Sequence, residues 1–215
     1  MSVFVRHHAT YMYFDKDAWV ILDPIEQSIR AKIEKYGTPL RDWDIAINYG
    51  IKTGCNEAFI IDGAKRAELI AADPKSDEII RPILRGKDIK RYGYDFDDKW
   101  LINIECGFTN SNRGNMKPEE FIKSTYPAVY QHFTDVANRP TKGKGLVDRD
   151  DKGDYWWELR SCAYMNDFYK QKIVYPCIMA QEPCFMLDED QHFPPAPSNN
   201  ITGQHLKYLL GFLCS

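Results

Sequence analysis

The sequence predicts an α+β fold: a twisted, mostly antiparallel or mixed β-sheet flanked by helices, with long loops. Three observations carry that expectation. Short apolar segments with strand character recur along the chain, among them Ile45–Tyr49, Trp100–Ile104 and Lys172–Pro176, because alternation or a brief buried run suits a pleated strand. A helical period stands elsewhere, with Ile25, Ile29 and Ile33 on one face of a 3.6-residue repeat. Between such segments lie polar stretches rich in Gly, Asn and charge, the longest covering 139–154. Loops of that length inside a compact domain tend to be functional or disordered.

In order, residues 3–14 read as an opening strand and Trp19–Leu22 as a second apolar patch. Asp23-Pro24 starts a helix, since Asp caps well and Pro fits the first helical position. Gly37 and Pro39 stop it, and its isoleucine stripe is expected in the core. Ile45–Asp62 reads as a hairpin: a strand, a turn bracketed by Gly50 and Gly54, and a buried strand from Ala58 to Ile61. Ala64–Ala72 is helical in composition, Asp73-Pro74 breaks it, and Ser76 caps a short turn. Gly107–Asn115 is a polar loop. Helical sequence runs from Pro118 to about Asn138 with a break at Pro127, burying Val129, Phe133 and Val136. Cys184–Asp188 pairs with the Lys172–Pro176 strand across a short link. Pro194–Pro197 is an extended loop, and a helix follows from about Gln204 to Leu213. Because the sequence stops inside that apolar helix, the chain reads as a single domain covering 1–215, or as a fragment of a longer polypeptide.

At 215 residues the chain has room for one domain, or one domain with a small second lobe. Its 44% hydrophobic and 27% charged residues are those of an ordinary globular protein. A net charge of −3 argues against a free-standing, non-specific nucleic-acid binder. Six cysteines are scattered without a CxxC pair. No secretory leader is read near the start, where Arg6-His7-His8 replaces an apolar stretch, and no apolar run approaches membrane-spanning length. The expectation is a reduced, cytoplasmic protein. Zinc would need Cys177, Cys184 and His192 or His205, whose spacings match no common ligand pattern, so no metal is expected.

Two segments are candidates for binding. Lys52 and Thr53 sit on the glycine turn, where a cation and a hydroxyl can meet a phosphate or a base edge; the bland alternative is a solvated hairpin tip. Residues 81–91 hold five cations (Arg81, Arg85, Lys87, Lys90, Arg91) and one acid, Asp88. Such a run can track a phosphate backbone, although charge runs are usually solvated surface. Catalytic motifs are missing. Gly50-Ile-Lys-Thr-Gly54 lacks the P-loop order of glycine and lysine. There is no GxSxG, HExxH or GxGxxG, and adjacent acids such as Asp97-Asp98 point apart.

Gly50–Asp62, Ile80–Tyr92 and Trp100-Leu-Ile102 together resemble the specificity domain of TaqI-like adenine methyltransferases and type IIG restriction–modification enzymes. Further matches follow in order: Tyr126-Pro127, Trp156-Trp-Glu-Leu-Arg160, Lys172–Pro176, Phe185–Asp188 and Leu206–Ser215. The resemblance covers the chain from about Trp19; Cys214 stands where the family pattern has Asn. It implies a target-recognition domain for double-stranded DNA that works beside a methyltransferase catalytic domain, in cis or in trans. The S-adenosylmethionine site and the (N/D)PP(Y/F) loop that holds the flipped adenine belong to that catalytic part. Neither is found here, nor is a PD-(D/E)xK pattern, so the chain is expected to bind DNA without chemistry or cofactor. On this reading Lys52, Thr53 and Asn56 face DNA, and Arg85, Lys87, Lys90 and Arg91 hold phosphates. Arg139, Lys142 and Lys144, with the 109–115 loop, are candidates for base edges. Asp88 has a second reading, as a lock on Arg85 or Arg91. The alternative function is a protein-interaction module whose terminal helix docks a partner.

Overall fold

The computed structural model describes residues 11–14, 19–140, 143–179 and 182–215. The chain is α+β and divides into two compact units, Met1–Asp44 and Ile45–Ser215. Among the described residues no helix is long and apolar enough to cross a membrane.

In the first unit β1 (Tyr11–Phe14) pairs antiparallel with β2 (Trp19–Leu22). The earlier part of the expected opening strand, residues 3–10, lies outside the described residues. Helix α1 (Pro24–Tyr36) begins at a capping box: the Asp23 carboxylate accepts the N–H groups of Ile25 and Glu26, and the Glu26 carboxylate accepts the Asp23 N–H. It ends at Gly37. The stripe is where the expectation fails. Ile25, Ile29 and Ile33 are 72%, 52% and 62% exposed, and no residue of α1 is buried. A unit this small has too little mass to enclose a helix face.

Along the second unit run β3 (Ile45–Tyr49), α2 (Asn56–Phe59), β4 (Ile60–Asp62), α3 (Gly63–Ala72), β5 (Ile80–Pro82), β6 (Ile89–Lys90), β7 (Gly93–Tyr94) and β8 (Lys99–Ile102). Then come α4 (Phe108–Asn112), α5 (Pro118–Thr125), α6 (Pro127–Ala137), β9 (Lys172–Pro176), β10 (Met186–Asp188), β11 (Ser198–Gly203) and α7 (Leu206–Leu213). One sheet has the order β10-β9-β11-β3 and another β4-β8-β5, with antiparallel neighbours throughout; β6 and β7 form a small ribbon. In the larger sheet Ile201 lies opposite both Ile47 and Ile173. Phe59, Ile83, Leu101, Ile102, Ile122, Val129, Phe133 and Phe193 are among the buried residues of the main core. The Phe59 and Phe133 rings lie 5.0 Å apart, tying α2 to α6.

The expected hairpin is not one. β3 and β4 belong to different sheets, and the segment between them crosses from one to the other. β3 pairs with β11 instead. The Gly50 N–H donates to the Ser198 carbonyl at 2.7 Å, the Ile51 N–H to Pro194 at 2.9 Å, and the Ala196 N–H to Ile51 at 2.9 Å. Long-range pairing with the proline segment thus replaces the local turn. Ala58 and Phe59 are helical, and strand begins only at Ile60. β11 itself was hidden. Ser-Asn-Asn-Ile-Thr-Gly has turn composition, yet Ser198, Asn200 and Thr202 are buried at the centre of the sheet. The polar 107–115 segment contains α4, and Asp73 rather than Ser76 caps the 3-10 turn Pro74–Ile79. The break between α5 and α6 at Pro127 and the β9–β10 pairing match expectation.

Candidate functional site

The loop Gly50–Glu57 runs between two hollows. One, of about 490 Å³, is lined by residues 49–52 and 159–165. The other, a more open groove of about 670 Å³, is lined by residues 51–57 together with Val136, Lys144–Leu146, Asp151 and Ala196. Lys52 is exposed and borders both.

Two glycines, Gly50 and Gly54, fix this segment. A Cβ on Gly50 would stand 2.7 Å from the Pro194 carbonyl oxygen, so only glycine lets the two backbones meet. Gly54 has φ +67, and its Cβ would meet the Asp151 carbonyl oxygen at 2.7 Å. Between them Thr53 is buried, and its hydroxyl donates to the Asn56 side-chain carbonyl at 2.5 Å.

Beneath Gly54 lies a residue the sequence did not single out. Arg149 is 3% exposed. Its guanidinium donates to the carbonyls of Leu146, Asp151, Trp156 and Glu158, and its centre sits 4.8 Å from the Phe59 ring centroid. Burial lowers its pKa to about 10, with nearby Cys55 and Asp151 opposing. Glu158, fully buried, accepts N–H groups from Gly107, Thr109 and Asp154. Trp157 packs beside it, with its indole N–H on the Thr109 hydroxyl and Tyr155 stacked 5.0 Å away. The described part of the 139–154 segment is therefore wound around a buried cation. In Val147-Asp-Arg-Asp-Asp151 Arg149 looks like one more surface charge, whereas the apolar neighbours of Glu158 were the available signal.

The smaller hollow has an apolar floor of buried Ile51, Leu159 and Met165. Tyr49 and Tyr164 stand in its walls, and Ser161 and Ala163 are exposed at its edge. Burial pushes the Tyr164 phenol and the Cys162 thiol up from their ordinary values, which keeps both neutral. Two cations reach the rim. The Lys52 ammonium is 5.4 Å from the Tyr49 ring centroid and has no ion-pair partner among the described residues. Arg160 is held by Asp151 at 2.9 Å.

Lys52, Thr53, Asn56 and Lys144 thus come together around the open groove. Lys144 is clamped by Asp150, at 2.6 and 2.7 Å from its two oxygens. Arg139 is exposed just after α6, and Lys142 lies outside the described residues. The 81–91 cations form a separate cluster whose charge is largely matched locally. Arg85 pairs with Asp88 at 3.1 Å and with Asp97; Lys87 pairs with Asp97 at 3.1 Å, and Lys90 with Asp95 at 3.5 Å. Asp88 also accepts the Arg85 N–H, so it locks Arg85. Arg91 donates to the Cys214 carbonyl. Counting charge over 81–91 stops just short of the acids that fold back onto it.

Metal-ligand groups converge elsewhere than Cys177, Cys184 and His205. Cys106, Asp154 and Glu158 form one set, and Asp188, Asp190 and His192 another. Glu158 is already engaged by three N–H groups. Asp188 is engaged by the Lys172 ammonium at 2.5 Å and by His192 Nδ1 at 2.7 Å. In each set one carboxylate is thus already satisfied by protein donors.

This is an α+β chain whose cation-bearing loop separates a wider, more open groove from a smaller pocket. No protein-family model matches it. In sequence it is similar to the Type II methyltransferase M.MjaIV of Methanocaldococcus jannaschii, with 23% identity over 181 residues. The match covers 80% of this chain and 55% of that protein, so the chain spans about half the length of its relative. Among solved structures it is similar to the Type IIL restriction-modification enzyme MmeI in complex with DNA. There the TM-score is 0.48 at 12% identity, covering 83% of this chain and 22% of that one.

Proposed function

We propose that this chain is the DNA target-recognition part of a restriction–modification adenine methyltransferase, and that it contributes binding rather than catalysis. The observation that carries the proposal is the sequence similarity to a Type II methyltransferase along 80% of the chain. The loop geometry supports it. Lys52 stands exposed between two hollows, on a segment pinned by Gly50, Gly54 and the buried Arg149. A cation on a pinned segment positions a phosphate, and Asn56 and Lys144 line the same open groove. Arg85 is better suited to holding the scaffold than to reaching DNA, because two carboxylates already engage it. S-adenosylmethionine would be bound by the catalytic part of the parent protein.

A salt titration tests this. Duplex DNA binding, followed by fluorescence anisotropy, should weaken steeply as salt rises, and Lys52→Ala should shallow the slope of log K against log salt by about 0.9. Binding that is absent, or indifferent to salt, contradicts the proposal. Methyl transfer by this chain alone with S-adenosylmethionine and DNA would contradict its non-catalytic part.

A further inference from the structure

We propose that the smaller hollow beside Lys52 receives one unpaired nucleotide of the bound duplex. The inference rests on the DNA-binding reading and adds a ligand to it. Its volume of about 490 Å³ lies within the range of small-ligand pockets, which are mainly apolar with a few convergent polar groups. This one has that division. Ile51, Leu159 and Met165 form the buried apolar floor, Tyr49 and Tyr164 offer ring surface, and Lys52 and Arg160 stand at the mouth. A nucleotide has the matching parts: a planar base with apolar faces, which stacks on aromatic side chains, and a phosphate that seeks cations.

The position of Lys52 joins the two hollows into one path. Since it borders both, a phosphate backbone lying in the open groove and held at Lys52 brings the adjoining nucleotide to the pocket mouth. Arg160 is paired with Asp151, so the net charge at the mouth comes from Lys52. A paired base must first be unstacked at a cost of a few kcal/mol, and the cost is smallest for a base that has lost its partner. An (N/D)PP(Y/F) loop is absent from this sequence, so the pocket is not the site in which a methyltransferase holds its target adenine.

The test compares two labelled duplexes of one sequence, fully paired or with a single abasic site facing an intact base. Anisotropy gives the affinity of the 215-residue chain for each. The abasic duplex should bind about tenfold tighter, since its unpaired base is already free to move. Ala163→Trp fills the pocket from an exposed edge position and should bring the ratio of the two affinities close to one. Ser161→Trp, at another exposed position of the same wall, should do likewise, so a folding defect in one variant does not decide the outcome. Equal affinity of the wild type for both duplexes overturns the inference while leaving DNA binding intact. A preference that survives in both folded tryptophan variants also overturns it. No binding of either duplex defeats the target-recognition reading, and the pocket assignment with it.

Discussion

One buried polar network shows the chemistry of the interior at the scale of single residues. Lys172 is fully buried, and Asp188 and His192 nearly so, with the carboxylate shared between the ammonium and the imidazole. Burial pushes Asp188 toward the neutral acid, but the hydrogen bond from His192 and the charge of Lys172 outweigh it, leaving its pKa below the ordinary carboxylate value. Asp188→Asn should therefore lower unfolding free energy by about 3–5 kcal/mol, because it strands Lys172 without its counter-charge. Chemical denaturation measures this, and a loss near zero would show that the network is not coupled to folding. His132 makes a second, gentler prediction. Burial lowers its pKa, only partly offset by the 2.9 Å bond from Nε2 to the Ala58 carbonyl. That carbonyl accepts, so the neutral ring carries its proton on Nε2. The folded state takes up a proton less readily than the unfolded chain. The stabilisation is complete above the ordinary histidine value of about 6.5 and is lost as pH falls through the lower folded value. His132→Gln should flatten the decline in melting temperature between about pH 7.5 and 5.5; an unchanged pH profile refutes this.

The crossing loop is the informative element. Its glycines were legible as special positions, but the turn read between them gives way to pairing with the proline segment. Their reason was not legible, because it lies in residues about a hundred or more positions away: Pro194 and Pro195 for Gly50, Arg149 and Asp151 for Gly54. Gly50→Ala should cost about 1–3 kcal/mol through the backbone overlap with Pro194 and Pro195. Gly93→Ala, where an added Cβ meets nothing within 4 Å, should stay within about 0.5 kcal/mol. Urea midpoints of the two variants test the contrast, and equal midpoints would remove the close approach as the reason for glycine. Helices behaved differently. α1 and α3 begin at Asp23 and Asp62, whose carboxylates accept backbone N–H groups of the first turn, and α6 begins at Pro127. Caps are local, so sequence revealed Asp23 and the start at Pro127, although it put the cap of the Pro74–Ile79 turn at Ser76 rather than Asp73. Which face a helix buries is not local, and α1 leaves its whole isoleucine stripe exposed.

For the molecule as a whole, the sequence by itself determined the α+β class, most helix starts, the β9 and β10 strands, and the presence of something unusual at Gly50–Gly54. These depend on periodicity, capping and backbone freedom within a few residues, and such signals are written consecutively. Only the tertiary structure decided which strands pair. It moved β3 from a hairpin with β4 to an edge beside β11 and made a central strand of Ser198–Gly203. It also redistributed charge. Arg85, Lys87 and Lys90, read as an open basic run, meet Asp88, Asp95 and Asp97, while Arg149 passes from a polar loop into the interior. Lys52 is left exposed between two hollows that no spacing announces. Charge in a sequence is counted along the chain, but Coulomb attraction and desolvation act through space. The identity of the cations could be read directly, and their availability to a partner only after the chain had folded.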